Sequence, residues 1–193
     1  MSKISPLLSL IAGSVFLASC GSNLPIAGEI ELNEQFVADF DLVDMNGEAA
    51  TDERFEGKPM LIYFGFTSCP DVCPAALGVM VAALDSMGSA ADDIQPLYIT
   101  VDPERDTPER LADYLSFDPR LLGLTGDEES AKDARDQMRV FAAKVPLENS
   151  AIGYTVDHQS MFFFVNSEGQ PTHAFRDSIP PQELGQRLRK LVG

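Results

Sequence analysis

The sequence predicts a single α/β domain with a central mixed β-sheet covered by helices, and three observations carry that prediction. Continuous apolar runs rich in aromatic and β-branched residues, PMLIYFGF (59–66), IQPLYITVD (94–102) and MFFFV (161–165), read as strands buried on both faces. Helical stretches alternate with strands along the chain, which is the pattern of a layered α/β domain. The 193 residues, 45% apolar and 23% charged, have the size and composition of one packed core with appendages.

Taken in order, MSKISPLLSLIAGSVFLASC has a lysine near its start, a short apolar run and small residues before Cys20. This is the anatomy of a secretory signal over 1–19, and its apolar run is short for a bilayer span. The ending Leu17-Ala18-Ser19-Cys20 resembles a bacterial lipoprotein signal, which makes Cys20 a lipid anchor and places the domain outside the cytoplasm, in the periplasm or its equivalent. Residues 20–35, small and acidic, read as a tether, and residues 36–193 as the domain. FVADFDLVDMNGEAA predicts an N-terminal β-hairpin turning at Asn46-Gly47. A buried strand follows over 59–66, then a buried helix over 75–88 and a second buried strand over 94–102. Thr107 caps a helix to about Phe117, with Pro108 and Glu109 in its first turn. LLGLTG (121–126) is a short strand. Residues 127–144 read as a helix, acids first and bases last. TVDHQ is a loop leading into two strands joined by a Ser-Glu-Gly turn, and a helix from Pro181 to Val192 closes the chain.

The formal charge of −16, from 30 acids against 14 bases, disfavours nucleic acid and anionic lipid surfaces as partners. With three cysteines and two histidines, each can be weighed alone. FTSCPDVCP (66–74) sets Cys69 and Cys73 four apart, each followed by proline. That spacing is compatible with a redox pair, a metal clamp or a structural disulfide, although a bridge over four residues closes very little loop. Proline disfavours helical backbone in the residue before it, so residues 70–73 are predicted to form a tight turn with Pro74 near the first helical position. Both thiols then sit at a helix N-terminus, which favours the thiolate. Asp71 lies between them and can tune the site, whereas Thr67 and Ser68 read as turn formers. Phe66 stands where a peroxidase of this fold would carry threonine.

Imidazole is the commonest additional ligand for such a pair. His158 precedes the apolar MFFFV run at a strand junction, and His173 follows a turn. Asp157 is placed either to orient the His158 ring or as a surface acid. DPERDTP (102–108) falls at the same end of the sheet as the cysteines, with Asp102 as a supporting partner and an Arg105–Asp106 pair shaping the loop. Met80, Met87, Met138 and Met161 lie in apolar patterns that predict core packing rather than copper binding. No phosphate loop, serine elbow or calcium loop is present.

A buried strand ending at a cysteine pair that opens a helix resembles the thioredoxin-like fold. Together, FGFTSCPDVCP, VDPERDTP and YTVDHQ ahead of FFFVNSEG resemble the Sco/SenC family of copper-binding, thioredoxin-like proteins over about residues 36–192. The resemblance implies that Cys69, Cys73 and His158 bind one copper ion, as copper(I) and copper(II). It also implies a role in assembling the binuclear copper centre of cytochrome c oxidase. Expected partners are the oxidase copper-site subunit, other copper chaperones or thiol reductants, and a membrane reached through the lipid anchor. Two alternatives stay open: a thiol-disulfide oxidoreductase using Cys69 and Cys73 to reduce the oxidase cysteines, and a copper or redox sensor.

Overall fold

The computed structural model describes residues 27–148 and 150–193. The signal segment 1–19, Cys20 and the start of the tether lie outside the described residues. In chain order the elements are β1 (Glu29–Glu31), β2 (Asp41–Asp44), β3 (Ala49–Thr51), β4 (Met60–Gly65), α1 (Val72–Met87), β5 (Gln95–Thr100) and α2 (Pro108–Leu115). They continue as β6 (Leu122–Thr125), α3 (Glu128–Gln137), β7 (Ala142–Pro146), β8 (Tyr154–His158), β9 (Met161–Val165), β10 (Pro171–Arg176) and α4 (Pro181–Val192). Eight strands form one mixed sheet in the order β1-β10-β9-β4-β5-β6-β2-β3, while β7 and β8 form a separate two-stranded ribbon.

β4 is buried at every residue, as its unbroken apolar run predicts, because it has strands on both sides and packing on both faces. It runs parallel to β5 and antiparallel to β9, with Tyr63 opposite Phe162. The C-terminal end of β4, the C-terminal end of β5 and the beginning of β9 therefore lie together. The predicted hairpin is present as β2 and β3, and it joins the main sheet through β6. Its turn is held by the buried Asp44, whose Oδ1 accepts the amides of Asn46 at 2.8 Å and Glu48 at 3.0 Å, with Gly47 at φ +81°.

Three sequence expectations are corrected. The tether does not extend unbroken to residue 35, since Glu29–Glu31 adds an edge strand to β10 and the enclosed side chain of Glu29 pairs with Arg187 of α4 at 2.5 Å. The helix expected over 127–144 ends at Gln137, where Arg139 takes a left-handed φ of 52° and the Val140 amide returns to the Arg135 carbonyl at 2.8 Å. β-Branched Val145 and Pro146 then favour extended chain, so the basic end read from Lys144 belongs to β7. TVDHQ is mostly strand β8 rather than loop, because β7 is there to pair with it.

α1 is the helix that carries Cys73, and it packs closely on α4 at a glycine. A Cβ on Gly185 would meet the Ala83 carbonyl oxygen at 2.6 Å and collide with Ser86 Oγ. Alanine's better helix propensity is worth about 1 kcal/mol, whereas overpacking a closed contact costs about 1–3 kcal/mol. Gly185→Ala is therefore expected to lower the urea midpoint of unfolding, and an unchanged or raised midpoint would contradict this packing.

Candidate metal centre

After β4 the chain turns through Phe66 to Cys69, whose amide donates to the Phe66 carbonyl at 3.1 Å. α1 then begins at Val72, earlier than the proline argument predicts, with Cys73 already helical and Pro74 third in the helix. The expected turn over 70–73 is thus shorter. The first amides of a helix have no intrahelical acceptor, so Pro74 removes no bond there, and this tolerates the unfavourable backbone of the residue before it. The first helical bond runs from the Ala75 amide to the Asp71 carbonyl at 3.2 Å. The Cys73 amide donates instead to Cys69 Sγ at 3.4 Å, which turns the positive end of α1 toward that sulfur.

Cys73 is fully buried, and burial, reinforced by the neighbouring Cys69 sulfur, pushes its thiol up to about 12. Both cysteines are free thiols. His158, the last residue of β8, lies with Nε2 3.7 Å from Cys73 Sγ. Its Nδ1 is 3.1 Å from the Gln159 carbonyl oxygen, which can only accept, so Nδ1 holds the proton and Nε2 turns a lone pair to the thiol. Burial lowers the imidazole pKa, which keeps the ring neutral and able to donate. The ring is wedged by the edge-to-face contacts of Phe66 at 5.8 Å and Tyr63 at 6.4 Å.

Buried polar groups fasten the surrounding loops. Asp106 accepts from the Thr67 amide at 3.0 Å, the Thr67 hydroxyl at 2.6 Å and the Thr100 hydroxyl at 2.7 Å. Burial nevertheless raises its pKa. Arg110 donates to Thr67 at 2.6 Å and to Ser68 at 3.0 Å, so these two residues join loops as well as forming a turn. The expected Arg105–Asp106 pair is not formed: Arg105 pairs with Asp102 and stacks 3.8 Å above the Tyr154 ring, whose hydroxyl donates to Asp102 at 2.7 Å. Opposite them, Tyr63 and Ser160 hydroxyls meet at 2.8 Å, and Ser160 donates to Asp177 at 2.7 Å.

Of the residues singled out from sequence, the fold gathers Cys69, Cys73 and His158. Asp102 is buried but acts on the β8 segment through Arg105 and Tyr154. Asp71 is exposed at the N-cap of α1, and its side chain makes no capping bond. Asp157 is exposed and alternates to the other side of β8 from His158, so the Gln159 carbonyl, and not Asp157, orients the ring. His173 lies toward the β1 edge, 3.6 Å from Glu29 and 3.4 Å from Arg187. The four methionines are core residues. Among the described residues no three His, Cys, Asp or Glu side chains form a closed metal cluster. Cys73 and His158 touch, while Cys69 Sγ is directed to the helix amide. Two thiols and a neutral imidazole are a donor set for a soft or borderline transition metal. Tyr63, Arg110, Tyr154, Ser160 and Asp177 were not found from sequence, because their partners are remote in the chain and no local spacing marks them.

Comparison with known proteins matches this architecture. The SCO1/SenC family model matches residues 28–193. A "SCO2-like protein" of Rickettsia felis is 38% identical over 195 residues, covering 97% of this chain and 95% of the relative. Among solved structures, the fold is similar to Bradyrhizobium japonicum ScoI with copper bound, at 39% identity and TM-score 0.75, over 81% of this chain and 99% of that one. It is also similar to yeast Sco1 with copper bound, at 34% identity and TM-score 0.74, over 80% and 87% of the two chains. The thioredoxin-like architecture, the match across nearly all the described residues and relatives alike over almost their whole length lead to one conclusion: this chain belongs to the SCO1/SenC family.

Proposed function

We propose that this protein is a copper metallochaperone in which Cys69, Cys73 and His158 hold one copper ion as cargo for the binuclear copper centre of cytochrome c oxidase. The observation that carries this reading is the 3.7 Å approach of His158 Nε2 to Cys73 Sγ, with Nδ1 tied to a backbone carbonyl. Relatives of more than 30% identity with copper bound support copper as the metal. Paired thiolates suit copper(I), and the imidazole adds the nitrogen donor that copper(II) favours. Release to a partner then proceeds by ligand exchange from the side of the half-buried Cys69. The oxidase copper-site subunit is the acceptor in this reading, with other copper chaperones or thiol reductants loading and resetting the site.

A second reading, thiol-disulfide exchange, draws on the contrast between the two thiols. Cys69 is partly exposed and receives a helix amide, whereas Cys73 is buried behind it. Cys69 would attack a partner disulfide to form a mixed disulfide. Cys73, after losing its proton, would attack Cys69 and release the partner as a reduced dithiol, leaving the pair oxidised. Oxidation removes both thiolates and so ends copper binding. We place the domain outside the cytoplasm, anchored at the membrane through Cys20. The one stretch among the described residues long and apolar enough to cross a bilayer, Val72–Asp93, includes the core helix α1 packed against α4.

His158→Ala is expected to weaken copper binding by at least the ~10–100-fold that loss of a mere ligand-orienting partner costs. The reduction potential of the cysteine pair should change little. Equal copper affinity in variant and parent, measured by competition titration, removes His158 from the site. Cys69→Ser and Cys73→Ser are each expected to abolish copper binding and dithiol exchange alike. Copper capture must also expel the Cys73 proton, because the thiol pKa of about 12 leaves it protonated at neutral pH. His158, lowered by burial, releases none near neutrality. Apparent affinity should thus rise by at least about tenfold per pH unit around neutral pH. A flat profile there would contradict a thiolate ligand at Cys73.

A further inference from the structure

Among the described residues the β7–β8 ribbon pairs with no third strand, and its β7 edge is open. The Gln159 amide donates to the Phe141 carbonyl at 3.0 Å, and the Leu147 amide to the Gly153 carbonyl at 2.9 Å. With the register Ala143↔Asp157 and Val145↔Thr155, this alternation turns the backbone groups of Ala142 and Lys144, and the Pro146 carbonyl, away from β8. On the β8 side, Arg105 Nη1 covers the outward Tyr154 carbonyl at 3.1 Å. On the β7 side, no group among the described residues takes the outward amides and carbonyls of Ala142 and Lys144.

Against β7 lies a groove of about 250 Å³ lined also by Glu128 and Arg135 of α3, by Val101 and by Val156. Arg135 is 7% exposed, and its Nη1 has no hydrogen-bond partner. Phe141 and Val145, two of the exposed large apolar side chains, share one face of the ribbon at 61% and 40% exposure. The carboxylates of Glu104 and Glu128 reach Lys144 at 3.0 Å and 3.8 Å while remaining more than half exposed. Unpaired backbone groups, alternating apolar side chains and flanking acids together fit an extended segment whose residues alternate apolar and cationic.

We propose that β7 is a docking edge at which an extended, basic segment of the copper-accepting polypeptide adds as a third strand. Only the partner's role as copper acceptor rests on the copper reading; the strand addition does not. Ala142 lies directly opposite His158, so the added strand runs about 10 Å from the His158 backbone, two strand spacings away. Phe141 and Val145 receive its apolar residues, and Glu104 and Glu128 receive its cations. The net charge of −16 opposes a second copy of this chain as the occupant.

The test is amide hydrogen exchange of the reduced chain, read residue by residue, with a blocked seven-residue peptide of alternating valine and lysine. Its valine-glutamate counterpart is the control. The lysine peptide is expected to slow exchange at Ala142 and Lys144 by about tenfold or more, and the glutamate peptide to leave it unchanged. Ala142→Pro replaces an outward N–H without removing a ladder bond, so it should abolish the protection while copper affinity is retained. No slowing in the parent chain, equal slowing by both peptides, or protection that grows with protein concentration alone would overturn the proposal. Lysine-peptide protection that persists while His158→Ala leaves copper affinity untouched would reject the copper reading and keep the docking edge.

Discussion

The pairing of β9 antiparallel to β4 is the constraint on which the site depends. β4 delivers the cysteine turn at its C-terminal end, and a parallel neighbour would bring in only its own C-terminal loop. An antiparallel neighbour starts where β4 stops, and the residues just before β9 include His158. Two donors 85 residues apart thus come within 3.7 Å through backbone register, before any metal is considered. Both strands are apolar on both faces, so the register is marked by the polar contact at its end, where the Tyr63 hydroxyl, opposite Phe162, meets the Ser160 hydroxyl at 2.8 Å.

The second contribution is the fastening of loops by buried polar groups. Asp106 ties the cysteine turn to the loop after β5, and the Asp102, Arg105 and Tyr154 cluster ties that loop to β8. Each carboxylate is fully buried, where an unmet acceptor is costly, and each has its hydrogen bonds supplied from separate segments. On the other side, Ser160 joins Tyr63 to Asp177. The His158 ring is therefore held by its own tautomer-fixing carbonyl, by two aromatic edges and by anchored chain on both flanks. This is the support a ligand needs if it is to meet a metal without first being ordered.

Much of this was legible in the sequence. The strands that are buried on both faces announced themselves through unbroken apolar runs, the hairpin through Asn46-Gly47, and α2 through Thr107 and Pro108. The approach of His158 to Cys73 was expected from residue chemistry together with the resemblance of three motifs. The failures share a cause. β1 and β7 are short strands with no fully buried residue, and they exist because β10 and β8 offer backbone partners, which no local pattern records. The early start of α1 depended on the first helical turn needing no proline amide. Asp157 looked like the ring's partner from adjacency alone, but strand alternation turns it away and leaves a backbone carbonyl, invisible in sequence, to do the work.

X-ray absorption at the copper edge of the copper(I)-loaded, reduced chain counts the atoms around the metal and so decides whether His158 and both cysteines hold it. Two sulfur scatterers and one imidazole nitrogen are expected, with the imidazole signature absent when His158 is replaced. A shell of sulfur alone in the parent protein, or an imidazole signal that survives loss of His158, would contradict that ligand set.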